Sequence, residues 1–475
     1  MATSSIKQAA YINAAARYST LVLRTLFNAV LARILVPEDY GIVAITAVFT
    51  VFFSLLADMG LGAGIIQNKE LTRNDIGGIF AFSLRLGGVL AVAFALFSLP
   101  LSHFYGKREL IPVGMLLSIQ LFFNTLNVVP QALLLKRKDF KRVALRILLS
   151  CIFSGLAGIG LALAGLKYYA LVIQAILDAA FIFAWNYFST RPPMARKVKR
   201  ESIDKIRSYS GFLFGFNLIN YFARNTDNLL IGKVIGAAPL GYYDKSYKLM
   251  LYPVNNLTHV ITPVLHPILS EHQHDKPYIY RKYLQVVQLL SLLGAFITPF
   301  FWFSSAEIIR ILYGSQWEAA IPCLRWMSLA MWAQMILSSA GTIFQSLGDT
   351  KRLFLSGSMN AVLVVAFIVA GLVEGSIEAV ARNVAIAYNL QFVATFYILV
   401  HLSFGLRTRH FLKGLLPHLG VMAAVALSGY FSTLLPSLPT VWSFIAKAAI
   451  MGAAYLLALW ASRQLKPLLS LLFKQ

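Results

Sequence analysis

Charge is scarce in this chain, and acid is scarcer than base. Asp, Glu, Lys and Arg make up 13% of the 475 residues, with 19 acidic against 42 basic. Cysteine is nearly absent. Cys151 and Cys323 fall in different apolar segments at opposite expected depths, so no disulfide is predicted, and two thiols make no metal site. A G-x-x-x-x-G-K-[ST] loop is missing, and Gly348-Asp349-Thr350-Lys351 lacks its glycine spacing, so no P-loop nucleotide site is expected. Long polar stretches are missing too. The longest expected outer loop is 305–318 and the longest inner one 190–208, which leaves no room for an extramembrane domain. The outer loops hold no acid–base or nucleophile cluster, so no catalytic residue, metal or cofactor is predicted and the chain reads as not an enzyme. Nor is a cleavable signal peptide visible: Met1 to Ala10 is polar, and the first apolar stretch is too long for an h-region.

What is present is apolar surface. The chain is 58% hydrophobic, with a mean hydropathy of +0.69, far above a soluble domain. Fourteen apolar stretches predict an all-α integral membrane protein with 14 transmembrane helices. Their approximate spans are 12–35, 41–66, 77–101, 110–135, 143–165, 168–189, 209–235, 241–269, 283–304, 319–347, 353–373, 378–403, 414–435 and 441–462. Loops after even-numbered segments are rich in Lys and Arg, among them Lys136, Arg137, Lys138, Lys141, Arg142, Arg146, Arg191, Arg196, Lys197, Lys199, Arg200, Lys205 and Arg207. Loops after odd-numbered segments hold only Lys107, Arg108, Lys167 and Arg310. The positive-inside rule then makes the first set cytoplasmic, and both termini with it. The net charge of +23 sits mostly in those loops, where it sets topology and meets anionic lipid, so nucleic acid is not expected as a partner.

The chain also repeats itself. At an offset of 200 residues Arg24 matches Arg224, Asn28 matches Asn228 and Gly41 matches Gly241. The first segment carries Asn13, Arg17, Thr20, Arg24 and Asn28; the seventh carries Asn217, Asn220, Arg224, Asp227 and Asn228. At about 100° per residue each set lies within an arc of roughly 80° to 100°. The eighth segment has its own stripe of Asp244, Lys248, Tyr252, Asn255, His259, Thr262 and His266. Polar lines down membrane helices are costly unless they face water or protein, so three of them predict a wet central cavity, against the plainer reading of interhelical hydrogen bonds. Parallel six-helix repeats fit a transporter with two lobes. The expected division is 1–190 for the first lobe, 191–208 for a cytoplasmic linker, 209–403 for the second lobe, and 404–475 for two further helices and a tail.

Five stretches carry a family resemblance: Leu31-Ala32-Arg33-Ile34-Leu35-Val36-Pro37-Glu38-Asp39-Tyr40-Gly41; Asp58-Met59-Gly60-Leu61-Gly62; Asn225-Thr226-Asp227-Asn228-Leu229-Leu230-Ile231-Gly232; Ile308-Ile309-Arg310-Ile311-Leu312-Tyr313-Gly314; and Leu347-Gly348-Asp349-Thr350-Lys351. In order and spacing the chain resembles bacterial polysaccharide flippases of the Wzx type, in their WzxC-like branch, within the multidrug/oligosaccharidyl-lipid/polysaccharide exporter superfamily. The resemblance implies two six-helix lobes in pseudo-twofold arrangement plus two peripheral helices. It implies a substrate of oligosaccharide joined through pyrophosphate to undecaprenol, moved across the bacterial inner membrane.

Such flippases have a cationic lumen, matched here by depth to Arg17, Arg24, Arg85 and Arg224. Asp58, Asp178, Asn217, Asn220, Asp227, Asn228 and Lys248 are expected to line the lumen or couple it to H⁺ or Na⁺. Plainer roles compete: a salt bridge from Arg85 to Asp58 or Asp178, both expected to be buried, and pinning of Arg224 by Asp227. Partners are the lipid-linked oligosaccharide, the bilayer and other polysaccharide assembly proteins. The rival functions are a peptidoglycan lipid-precursor flippase and a membrane polysaccharide polymerase or ligase.

Overall fold

A computed structural model describes residues 2–68, 70–137, 139–194, 221, 225–273, 275–434, 436, 438–465 and 468, with the backbone alone described at 2–17, 140 and 258–268. In hydrocarbon no water bonds the backbone, so long apolar runs close their hydrogen bonds within helices. Every regular element among the described residues is helical. Ten of these helices are long and apolar enough to cross a bilayer, and a bent pair makes an eleventh. The chain forms two compact units, Met1–Gly241 and Tyr242–Gln475.

The first unit holds α1 (Ala2–Ile34), α2 (Pro37–Asp58), the short α3 (Leu61–Gln67), α4 (Arg73–Tyr105), α5 (Leu110–Lys136), α6 (Phe140–Leu163) and α7 (Tyr168–Thr190). A helical stretch over 225–234, α8, follows, and α9 (Ala237–Ser270) begins here. Local chemistry sets the boundaries. Pro37 occupies the first turn of α2, where its missing N–H costs nothing. Thr72 and Asp75 form a reciprocal capping box at the start of α4, with bonds of 3.2 and 3.1 Å. α5 packs against α2, α3, α4 and α7, and α1 lies on α6. Gly155 makes that last contact possible, since a Cβ there would stand 2.4 Å from the Phe27 ring.

The two glycines matched at the 200-residue offset meet in space. A Cβ on Gly41 would fall 1.8 Å from the Ala237 carbonyl oxygen, and one on Gly241 would fall 2.1 Å from that of Pro37. The starts of α2 and α9 thus cross backbone to backbone, each glycine admitting the other strand of chain.

The second unit continues α9 and adds α10 (Lys276–Leu312), α11 (Ala320–Ser328), α12 (Met331–Leu337), α13 (Ala340–Ser346), α14 (Thr350–Val373), α15 (Ile377–Phe396) with a π-helical end at Tyr397–Ser403, α16 (Thr408–Ser432) and α17 (Thr440–Ala461). α10 is its axis, packed by α11, α12, α16 and α17. Tyr283, Phe396 and Phe411 stack in series, with centroids 6.3 and 4.7 Å apart. Elements of the two units correspond at an offset of 210 residues: Ile111-Pro112 with Ile321-Pro322, Asp139 with Asp349, and Gly165 with Gly375, whose φ values of 82° and 73° are both left-handed.

Three expectations need correction. The stretch 319–347 is not one helix: its pieces bend by 53°. Ser328, Ser338 and Ser339 each bond back to a carbonyl three residues earlier, at 2.7 Å, competing with the helical ladder at the breaks. The stretch 305–318 is not an outer loop, since α10 runs on to Leu312 and a 3₁₀ turn covers Ser315–Trp317. Arg146 does not lie in a loop; it is inside α6, one of the buried charged residues of the first unit.

Candidate functional site

The first unit carries a polar seam through an apolar bundle. α6 places Arg146, Ser150 and Ser154 four residues apart, hence on one face, and all three are buried. α7 supplies Asp178, Asn186 and Thr190, and α5 supplies Asn127 and Gln131. The side chains form a directed relay. Arg146 Nη1 donates to Asn186 Oδ1 at 2.7 Å, Asn186 Nδ2 donates to Asn127 Oδ1 at 2.7 Å, and Asn127 Nδ2 donates to Gln131 Oε1 at 3.0 Å. Thr190 Oγ1 holds the Asn186 carbonyl at 2.8 Å. Beside it Ser150 Oγ donates to the Asp178 carboxylate, and Asp178 attracts the Arg146 charge. Cys151, next along α6 from Ser150, is buried.

Arg146 stands about 9 Å along the axis from the start of α6, at the usual helical rise. A charge at membrane depth costs about 2.5–3.5 kcal/mol on insertion scales, so it is retained only where partners receive it. Asn186, fully buried, is that partner. Among the described residues, Arg146 Nε has no acceptor.

The residues picked out by sequence are distributed unevenly. Arg24 is exposed on α1 and Asn28 is half-buried three to four residues on. Arg85 is exposed on α4. Asp58 is exposed as well, which corrects its expected burial: it ends α2 and its Oδ1 accepts from Gly62 N at 3.3 Å, a turn contact. Asp178 belongs to the seam. Asp227 is buried, and its Oδ1 accepts from Asn228 N at 2.8 Å. Lys248 pairs with buried Asp244 at 2.6 Å, one turn away on α9. The Arg17 side chain, Asn217, Asn220 and Arg224 lie outside the described residues, as do Lys138, Arg196, Lys197, Lys199, Arg200, Lys205, Arg207 and the side chains of His259, Thr262 and His266.

Sequence reasoning missed Arg146, Asn186, Asn127 and Gln131. The signal was there: each is a strong hydrogen-bonding group inside an apolar run. Arg146 follows Lys141 and Arg142 closely, so in the sequence it reads as part of the same basic loop.

A buried ion pair lies in the other unit. Lys447 of α17 reaches Glu307 of α10 at 2.6 Å, Ser443 donates to the same oxygen at 2.8 Å, and both charged side chains are nearly buried. Outside the spans, partial burial alone would push the Asp349 carboxyl up, but hydrogen bonds from Ser403 and Arg352 outweigh it and hold that group below the usual carboxylate range.

Known proteins place this architecture. The chain is similar to the teichuronic acid biosynthesis protein TuaB of Bacillus subtilis (strain 168), 23% identical over 354 residues that cover 74% of this chain and 73% of that one. It is similar to the lipopolysaccharide biosynthesis protein WzxC of Escherichia coli (strain K12), 24% identical over 409 residues, 81% of this chain and 79% of that one. Among solved structures its fold matches the lipid II flippase MurJ in an inward closed conformation, with a TM-score of 0.74 at 15% identity over 96% of this chain and 99% of that one. An inward-facing multidrug transporter of the MATE family, in the MOP superfamily, matches with a TM-score of 0.62 at 15% identity, over 83% of this chain and 94% of that one. The family described as "Polysaccharide biosynthesis protein" matches residues 30–322, more than half of the sequence, and the chain belongs to that family.

Proposed function

We propose that the protein is a flippase that moves undecaprenyl-pyrophosphate-linked oligosaccharide repeat units across the bacterial inner membrane for surface polysaccharide assembly. Family membership and the named relatives support the polysaccharide pathway. The structural observation that best supports transport is the buried Arg146–Asn186–Asn127 relay beside Asp178. A membrane scaffold needs no charge in its interior; a carrier of charged headgroups does.

The bilayer resists the headgroup rather than the tail. Sugars and pyrophosphate stripped of water cost many kcal/mol in hydrocarbon. A polar path beside the acyl chains removes that cost while the polyprenyl tail stays in lipid. Guanidinium groups suit pyrophosphate because their forked donors form charge-assisted bonds. Arg17, Arg24, Arg85 and Arg224 are proposed to supply them, with Asn217, Asn220, Asn228 and Lys248 along the wall. Asp58, Asp178 and Asp227 are the proposed sites of H⁺ or Na⁺ coupling. An anion between the arginines screens their repulsion and favours closure of the path. The inside-negative potential favours outward movement of anions by about 2.3 kcal/mol per charge per 100 mV.

With α1, α8 and α9 added to the ten apolar helices and the bent pair, the proposed chain has fourteen spans. These group as two six-helix lobes (1–190 and 209–403) with two further helices, and both termini face the cytoplasm.

The test is a leaflet assay with purified protein in liposomes and a panel of undecaprenyl-pyrophosphate glycans that includes the peptidoglycan lipid precursor. Translocation without covalent change is expected, lost in Arg24→Ala and Arg224→Ala while both variants remain folded. Full translocation by both removes these arginines from the mechanism. Polymerised product, or transport of the peptidoglycan precursor alone, overturns the substrate assignment.

A further inference from the structure

The 210-residue offset brings two pockets into correspondence, one inside each unit. α6 begins Asp139-Phe140-Lys141-Arg142 and α14 begins Asp349-Thr350-Lys351-Arg352. Each aspartate accepts from the backbone N–H of the arginine three residues on, at 3.2 and 3.3 Å, and pairs with its guanidinium at 3.3 and 2.9 Å. Beside the first lies a cavity of about 700 Å³ lined by Arg142, Arg191, Thr190, Trp185, Phe181 and Phe188. Beside the second lies a cavity of about 630 Å³ lined by Lys276, Lys351, Arg352, Asp349, Phe354 and Leu355 among others.

The two are built alike from different parts. Each joins the start of the fifth helix of a repeat to the end of the sixth. Arg191 at the end of α7 is the second cation in one; Lys276 at the start of α10 and Lys351 fill that role in the other. Each has one wall of cations and one of exposed apolar side chains. Phe188 is 70% exposed, Phe354 63% and Leu355 52%. Phe181 and Trp185 stack in the first, with centroids 6.0 Å apart. A soluble anion needs only the cations. The apolar wall adds a surface for chains that continue from the anion into the hydrocarbon. Retention of this plan with exchanged residues points to a shared ligand chemistry rather than inherited packing.

We propose that each unit holds an anionic phospholipid by its phosphate headgroup, in a pocket beside the N-terminal cap of its fifth helix, where Arg142 in one unit and Lys351 with Arg352 in the other reach the lining. The charge bias puts both caps at the cytoplasmic leaflet, where anionic lipid meets basic loops. The proposal rests on the membrane assignment and not on the transport reading.

The test is native mass spectrometry of the full chain released from membranes of phosphatidylcholine with 20% phosphatidylglycerol. Two retained phosphatidylglycerol molecules are expected. Arg142→Gln with Arg191→Gln removes one, Lys351→Gln with Arg352→Gln removes the other, and each pair weakens its site about 30-fold, from ~1 kcal/mol per cation. Because a variant can fail to fold, the wild type is also titrated with NaCl, which is expected to release phosphatidylglycerol but not phosphatidylcholine. Retention of both lipids by the fourfold variant overturns the proposal. So does equal retention of phosphatidylcholine, or displacement by millimolar inorganic phosphate.

Discussion

The same two positions make the polar contact between fifth and sixth helices in both units, with different chemistry. In the first unit α6 offers Arg146 and Ser150 to Asn186 and Asp178 of α7. At the 210-residue offset α14 offers Ser356 and Asn360, and both reach Thr395 of α15, at 3.1 and 3.0 Å. One seam is charged and the other neutral. A repeat therefore preserves where helices exchange hydrogen bonds without preserving the charge they carry. The geometry of the pairing belongs to the scaffold, whereas the guanidinium and carboxylate belong to the first unit alone. The second unit has a buried ion pair elsewhere, at the contact of α10 with α17.

Four sets of substitutions would break or sharpen this contrast. The largest effect is expected from Lys447→Ala, which leaves Glu307 buried and unpaired: about 3–5 kcal/mol of unfolding free energy lost in detergent titrations. Joint replacement by apolar residues, Glu307→Leu with Lys447→Met, is expected to restore most of it, since a buried pair adds little beyond its own desolvation. Next comes Arg146→Ala, which strands Asn186 Oδ1. It is expected to cost about 3 kcal/mol, against about 1 kcal/mol for Ser356→Ala at the matched position. Equal losses would mean that the two seams do the same work and that charge is incidental.

Gly41→Ala follows, with about 1–3 kcal/mol expected from overpacking against the Ala237 carbonyl. Gly88→Ala, with nothing within 4 Å of its added Cβ, is the matched control and should be neutral or slightly stabilising. The smallest effect concerns the α14 cap. The folded-state value of Asp349 is depressed below 3.8, so its contribution is present above the unfolded value and is lost as pH falls through the folded one. Asp349 is part-buried but its partner Arg352 is open to water, so the loss should be no more than about 1 kcal/mol, and Asp349→Asn should flatten that acid limb. An unchanged limb in the variant would show that another carboxylate is responsible.

Much of the fold was legible because lipid imposes a single rule. A run of apolar residues in hydrocarbon must be a helix, and loops punctuated by Lys and Arg mark its ends. Gly41 and Gly241 were legible as matched positions, though their direct meeting was not. Matching residues at a fixed offset records common descent of position, not contact. The breaks in 319–347 escaped because serine in a helix differs from serine that bends one only by its rotamer. Of the residues in the α5–α7 seam, Asp178 was picked out by charge at depth. Arg146 was hidden by its basic neighbours, and Asn127 and Asn186 by their neutrality.

Composition and order alone determined that this chain is a multi-pass helical membrane protein, because hydropathy and backbone hydrogen bonding act locally, within each segment. Only the tertiary structure decided which polar side chains on α5, α6 and α7 meet, that the Arg146 charge is received by Asn186, and that two glycines let α2 and α9 cross. Those outcomes depend on helix rotation and packing distance, which arise when separate segments press against one another and cannot be read from any one of them.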